Sequence, residues 1–333
     1  MKHFVRAFWQ KGIHAVMGFL MWSSVAFAAA GAHLSFTTTL AGLPGQVFFR
    51  NTDAWQTGFG RLEGDAVINS EPVQVELLAA LEYENGTGSF TGFITLNWPS
   101  GDALVMRYVG GAVRDAGGNT TVTGALTVLG GTGSYARSTG SGQVHGFRSG
   151  QLGGPVHYDV VIDLGRLRRS AVNEVGFDGG AGDEVRGHDS DAKGRQRGIV
   201  LEVGLSGVPE QQFFRHIGPK GTLEYGGSRQ LGTADWFGTP MLVELLGVIE
   251  NREGEGSFIG FIHLELPDGS VALCRFFGKT QRGGGGSTVI RGELEAFYGT
   301  GALASLRGDG RVMAIGNGVP GSPLRAKITL PIP

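Results

Sequence analysis

The chain contains one unit written twice. VELLAALEYENGTGSFTGFITLNWPSGDALVMRYVG at 75–110 aligns without a gap to VELLGVIENREGEGSFIGFIHLELPDGSVALCRFFG at 243–278, an offset of 168 residues. The offset holds to the C-terminal strand, where VVID at 160–163 meets ITLP at 328–331. Upstream, LAGLPGQVFFR (40–50) matches LSGVPEQQFFR (205–215) at an offset of 165, so the loop between differs by three residues. A unit of about 130 residues is too long for a solenoid repeat and has the size of a whole domain. The boundaries are 33–164 for the first copy and 198–333 for the second.

Each copy reads as roughly eight strands, with alternation and turn signals recurring along the chain. Phe90, Gly92, Ile94, Leu96 and Trp98 share one face, as do Phe258, Gly260, Ile262, Leu264 and Leu266. A period of two with one wholly apolar face marks a strand. Gly92 and Gly260 in mid-strand predict a bend or bulge, as where a sheet closes on itself. PSGD (99–102) and PDGS (267–270) read as hairpin turns. Glycine makes up 60 of 333 residues without a G-X-Y period, which excludes collagen and fits many short strands joined by tight turns. The expectation is all-β: two tandem eight-stranded antiparallel barrels, whose closure removes sticky edges.

Between the copies, 165–197 is polar and glycine-rich and reads as a linker. Its Asp183, His188, Asp189 and Asp191 lack the fixed geometry that a metal site needs, so no metal is expected there. At the N-terminus, Lys2, Arg6 and Lys11 precede an apolar run ending in Ala26-Phe27-Ala28, a small-x-small cleavage site. Residues 1–28 are therefore expected to be a signal peptide, with the mature protein secreted or periplasmic and free of a membrane span. The single cysteine, Cys274, rules out an internal disulfide. A net charge of −2 argues against nucleic acid as a partner.

Hydrolase and nucleotide signatures are missing: no G-x-S-x-G, no H-E-x-x-H and no Walker A loop. The six histidines after residue 28 (33, 145, 157, 188, 216, 263) show no ligand spacing. In GGTGSYARSTGSG (130–142), Gly131, Gly133 and Ala136 fit the dinucleotide spacing G-x-G-x-x-A, with Asp159 and Asp163 downstream. That reading needs a helix opening at Gly133, yet six glycines follow between 140 and 155. The glycines are instead expected to shape a tight loop needing positive φ, and no cofactor is expected.

The strand G-x-F-x-G (Gly88, Phe90, Gly92), the Gly101-Asp102 hairpin and GGTGSYARSTGSG resemble the allene oxide cyclase/dirigent-type β-barrel family, notably its exported bacterial members. Copy two carries a worn version in Gly256, Phe258, Gly260 and YGTGALASLRGDG (298–310). The resemblance implies a calycin-like antiparallel barrel, often oligomeric, whose interior holds a small apolar molecule. No catalytic position carries over from it.

Two features recur in both copies. Glu76 with Arg107 returns as Glu244 with Arg275, on strand faces shared with apolar residues. Either this pair enters the lumen and polarises a ligand, or it is a cross-strand surface pair. Tyr108 and Tyr135 complete the candidate ligand-binding set. Phe48-Phe49-Arg50 recurs as Phe213-Phe214-Arg215; adjacent strand residues point oppositely, so one ring of each pair joins a core and the other is left to cover a barrel end or to pack between barrels. Function is expected to be binding of a small apolar or amphipathic ligand, or an extracellular interaction module. The alternative is a cofactor-free cyclase or isomerase that folds its substrate in the lumen. Lumen volume separates these readings from a purely structural role.

Overall fold

Alternation of inward apolar and outward polar residues builds sixteen strands. The computed structural model describes residues 32–150, 154–166, 198–218 and 221–331. The stretch 1–28 expected to be a signal peptide and, apart from its first two residues, the expected linker with its acidic cluster lie outside the described residues. The first copy comprises β1 (Ala32–Asn51), β2 (Trp55–Ile68), β3 (Glu71–Glu84), β4 (Thr87–Asn97), β5 (Ala103–Arg114), β6 (Thr120–Thr132), β7 (Ser138–Arg148) and β8 (Val156–Arg166). The second comprises β9 (Ile199–Ile217), β10 (Leu223–Trp236), β11 (Thr239–Arg252), β12 (Glu255–Glu265), β13 (Val271–Arg282), β14 (Thr288–Gly299), β15 (Gly308–Gly316) and β16 (Leu324–Leu330). Each set of eight closes into an antiparallel barrel with neighbours in chain order. β8 runs two residues into the stretch expected to be linker.

The inward face expected at 90–98 is confirmed: Phe90, Ile94, Leu96 and Trp98 join one buried cluster with residues from all eight strands. Gly92 and Gly260 carry no bulge, because both ladders run through them in register. The expectation of a bulge is corrected to one of close approach. A Cβ on Gly92 would lie 1.8 Å from the Leu78 carbonyl oxygen, so only glycine lets the tightly curved strands meet there. The hairpin at PSGD is formed, with Trp98 N–H donating to Asp102 O at 2.9 Å and Gly101 at φ 87°. The 130–142 loop opens with a three-residue 3-10 turn, Gly133–Tyr135, and Gly130, Gly133 and Gly140 all have positive φ. No α-helix starts at Gly133, which removes the dinucleotide reading.

Bulges occur elsewhere. β1 pairs Gly42 with Leu62 and next Val47 with Gly60, so LPGQ (43–46) swells out opposite Arg61. β9 repeats this with VPEQ (208–211) opposite Arg229. Single-residue bulges at the equivalent Leu129 and Phe297 break the β5–β6 and β13–β14 ladders.

The bulged Leu129 and Phe297 serve the contact between the barrels, which lie within one compact unit, His33–Pro333. A third apolar cluster joins Phe59, Leu78, Phe93 and Val105 to Phe213, Tyr225, Leu246 and Phe261. Phe48 packs on this cluster while Phe49 packs on the core of the first barrel, which realises the predicted split of the Phe-Phe pair. Phe297, pushed out by its bulge, sits 4.7 Å from the Trp55 ring centre.

Candidate functional site

The four charged candidates all lie between the barrels rather than in a lumen. Glu76 does not pair with Arg107. It accepts from Arg61 Nε at 2.7 Å and from Arg215 of the second copy at 3.1 Å. Glu244 likewise accepts from Arg229 of its own copy and from Arg50 of the first, the latter at 2.6 Å. Arg107 makes a two-pronged contact with Glu250 at 2.8 and 2.7 Å, and Arg275 reaches Glu82 at 2.9 Å. Residue i of copy one meets j of copy two while the equivalents of j and i also meet, the rule of a two-fold interface. The expected choice between lumen and solvent is thus corrected. Glu76 does face outward with Leu78 and Ala80, but that face is covered by the other barrel.

The interface has diverged at its centre. Thr95 meets the Tyr225 hydroxyl at 2.9 Å, while at the equivalent place Thr57 meets His263 Nε2 at 2.7 Å. His263 Nδ1 is 3.1 Å from Glu244. A carboxylate only accepts, so Nδ1 donates to it and Nε2 takes the Thr57 proton. Burial depresses the pKa of His263 against the pull of Glu244. Burial alone would raise Glu244, but hydrogen bonds from His263 and Arg50 outweigh it and hold the carboxyl at about 2.

Tyr135, half-buried, stacks on Trp98 with ring centres 4.5 Å apart, at the 3-10 turn after β6. Tyr108 points into the lumen of the first barrel, 1% exposed. That lumen is filled near the β1–β2 and β7–β8 hairpins. Phe49, Leu62, Tyr83, Tyr108, Tyr158 and Arg148 leave a cavity of ≈ 50 Å³. The same end of the second barrel holds a cavity of ≈ 830 Å³. Aligned positions explain the difference: Tyr83 becomes Asn251, Tyr158 becomes Ala326, Arg148 becomes Gly316 and Leu62 becomes Gln230. Three bulky side chains are removed, and polar groups replace apolar ones on a rigid strand frame.

The resulting mouth is amphipathic. Phe214, Ile249, Phe258, Ile290 and Leu324 supply apolar walls. Ser228 and Gln230, alternating with the interface residue Arg229 on β10, face inward and are 4% and 3% exposed. Asn251 is held by Thr280 Oγ1 and donates to Glu224 Oε2 at 3.4 Å. Gln230 Nε2 leans on Ser322 O at 3.5 Å, but among the described residues its Oε1 has no hydrogen-bond partner, and neither has Glu224 Oε1. His216 Nε2 is 3.3 Å from Glu224 Oε1, near enough to attract but out of hydrogen-bond alignment. Buried acceptors without donors are costly, and a ligand donor relieves that cost. None of these mouth residues was among the sequence candidates. The available clue was the run of large-to-small exchanges between the copies.

No protein-family model, curated protein or solved structure matches the chain.

Proposed function

We propose that the protein is a small-molecule-binding barrel pair in which the second barrel holds an amphipathic ligand in its mouth and the filled first barrel serves as its support. The observation that carries this reading is the contrast of ≈ 830 against ≈ 50 Å³ at equivalent ends of two barrels with one topology. The larger volume falls in the range of small-molecule sites, and its apolar walls with a few convergent polar groups match their usual lining. Gln230 Oε1 and Glu224 Oε1 favour a ligand that brings hydroxyl or amine donors beside an apolar body. The charged-then-apolar stretch at 1–28 supports an exported carrier, and the glycine signature at 130–142 supports kinship with allene oxide cyclase/dirigent-type barrels.

A second reading, a cofactor-free cyclase or isomerase acting in the same mouth, draws on His216 and Glu224, 3.3 Å apart at the cavity wall, an imidazole and a carboxylate that a bound substrate would have to bring into line for proton transfer. Titration with a neutral fluorescent phenylnaphthylamine tests the binding reading. Saturable fluorescence in the wild type, lost in Ala326→Tyr, is the expected outcome. Equal binding by both proteins, or none by either, would overturn it. Under the second reading, Glu224→Gln abolishes turnover of a cyclisable substrate while leaving probe binding within about threefold, a change below one tenfold step of affinity.

A further inference from the structure

The mouth of the first barrel closes around a positive charge. Arg148, at the end of β7, is 7% exposed, and among the described residues no carboxylate lies within ion-pair distance of it. Its Nη2 donates to Thr120 Oγ1 at 3.3 Å, and its Nε has no hydrogen-bond partner among the described residues. The Tyr108 hydroxyl on β5 is likewise buried; it leans toward the Tyr158 hydroxyl without reaching good hydrogen-bond geometry, and among the described residues it meets no other acceptor. Both residues line the same ≈ 50 Å³ cavity, together with Tyr83 and Tyr158. A buried guanidinium whose Nε has no acceptor, beside a phenol held only loosely by a second phenol, is expensive unless something accepts from both.

The charge balance at this spot points one way. Burial pushes the phenols of Tyr83, Tyr108 and Tyr158 up, so at neutral pH all three are uncharged and none neutralises the guanidinium. Burial lowers the pKa of Arg148, and Arg114 adds a second positive field. In the second barrel the aligned positions are Gly316 and Phe276, which offer neither donor.

We propose that the first barrel carries a separate site for a small monoanion, a short carboxylate, held by Arg148 and Tyr108. The planar guanidinium fork matches a carboxylate, and Tyr108 donates a further hydrogen bond to it. A cavity of ≈ 50 Å³ admits a carboxylate with a methyl-sized tail, and a single buried guanidinium balances one negative charge rather than two. The walls of Phe49, Leu62 and Val156 suit the apolar tail. This site is independent of the mouth of the second barrel.

Acetate, titrated calorimetrically into the full chain at constant ionic strength, is the probe. Saturable binding of one acetate is expected. Arg148→Met should weaken it at least about tenfold, the usual scale for a lost charge-assisted hydrogen bond. Tyr108→Phe keeps the ring and loses only the donor, so a weakening of about threefold to tenfold follows. Ala326→Tyr, in the other barrel, should leave acetate affinity unchanged. No saturable binding, or equal affinity in the wild type and Tyr108→Phe, would overturn the proposal, and the Tyr108→Phe arm decides even if Arg148→Met fails to fold. Chloride binding tighter than acetate would overturn the carboxylate assignment.

Discussion

The two barrels share strand order, bulges and interface contacts, yet one is packed to its end and the other is hollow there. Near the β1–β2 hairpin the first barrel stacks three tyrosines, with Tyr108 meeting Tyr158 edge-on at 6.3 Å between ring centres. At the matching end of the second, Asn251, Phe276 and Ala326 stand in their places. A closed barrel is thus stable with its mouth either filled or open, because its ladder hydrogen bonds and the deeper core do not depend on that last layer. Duplication lets one copy pack for stability while the other keeps an open mouth, two demands that compete in a single domain.

Hollowing the first barrel should have the largest effect on stability. Tyr158→Ala is expected to cost about 3–5 kcal/mol, as large-to-small core changes do, and denaturant unfolding measures it. The reciprocal Ala326→Tyr should cost less, about 1–3 kcal/mol, because its ring reaches toward the open mouth but must press on the Ala314 methyl where Tyr158 has Gly146 opposite. Similar costs for the two would erase the contrast between the barrels.

The charged interface offers a second comparison. Glu244 serves Arg50, Arg229 and His263, whereas Glu76 serves Arg61 and Arg215 and its Oε1 has no partner among the described residues. Glu244→Ala should therefore destabilise by about 1–3 kcal/mol, because the buried His263 loses its acceptor while the partly exposed Arg50 and Arg229 stay solvated, and Glu76→Ala by clearly less. Equal losses would show that His263 adds nothing.

Acid sharpens the same comparison. His263 has a folded pKa below its ordinary 6.5, so the unfolded chain binds more protons and stability falls as pH drops below that value. Glu244, held at about 2 against 4.5, loses its contribution between those values, roughly 3 kcal/mol in all. Glu82, raised by burial, works the other way and offsets part of the loss. His263→Gln should flatten the upper part of the profile, and an unchanged slope between pH 6.5 and 4.5 would contradict this assignment.

The smallest effect concerns the paired bulges. Gly45 has φ 71° and its counterpart Glu210 has φ 62°, a left-handed geometry that costs a residue with a Cβ. Glu210→Gly should stabilise by about 1 kcal/mol, whereas Gly45→Ala should destabilise by a similar amount. Thermal melts that move both variants in one direction would break the equivalence of the bulges.

The fold was legible in the residues because period-two faces such as Phe90, Ile94 and Leu96 survive in both copies, and the offset doubles every observation. Face assignment was legible too: Glu76 lies opposite Val75 and Leu77, as alternation requires. What covers an outward face is not written in one strand, so Glu76 and Arg107 looked like partners when each pairs across the interface. The mouth left only an indirect trace. Asn251, Gly316 and Ala326 are unremarkable alone, and their exchange for Tyr83, Arg148 and Tyr158 signals a cavity only once the fold brings them to one barrel end. The GGTGSYARSTGSG loop gave the reverse lesson, since its glycines serve backbone geometry and close approach; a Cβ on Gly133 would strike the Asp102 carboxylate.

The central claim is that the ligand-binding capacity sits where the second barrel lost its filling residues. Counting phenylnaphthylamine molecules bound per chain by equilibrium titration tests it most directly, across the wild type, the filled variant Asn251→Tyr/Gly316→Arg/Ala326→Tyr and the hollowed variant Tyr83→Asn/Arg148→Gly/Tyr158→Ala. The account predicts one bound probe for the wild type, none for the filled variant and two for the hollowed one. One probe bound by all three proteins would place the site elsewhere and contradict the account.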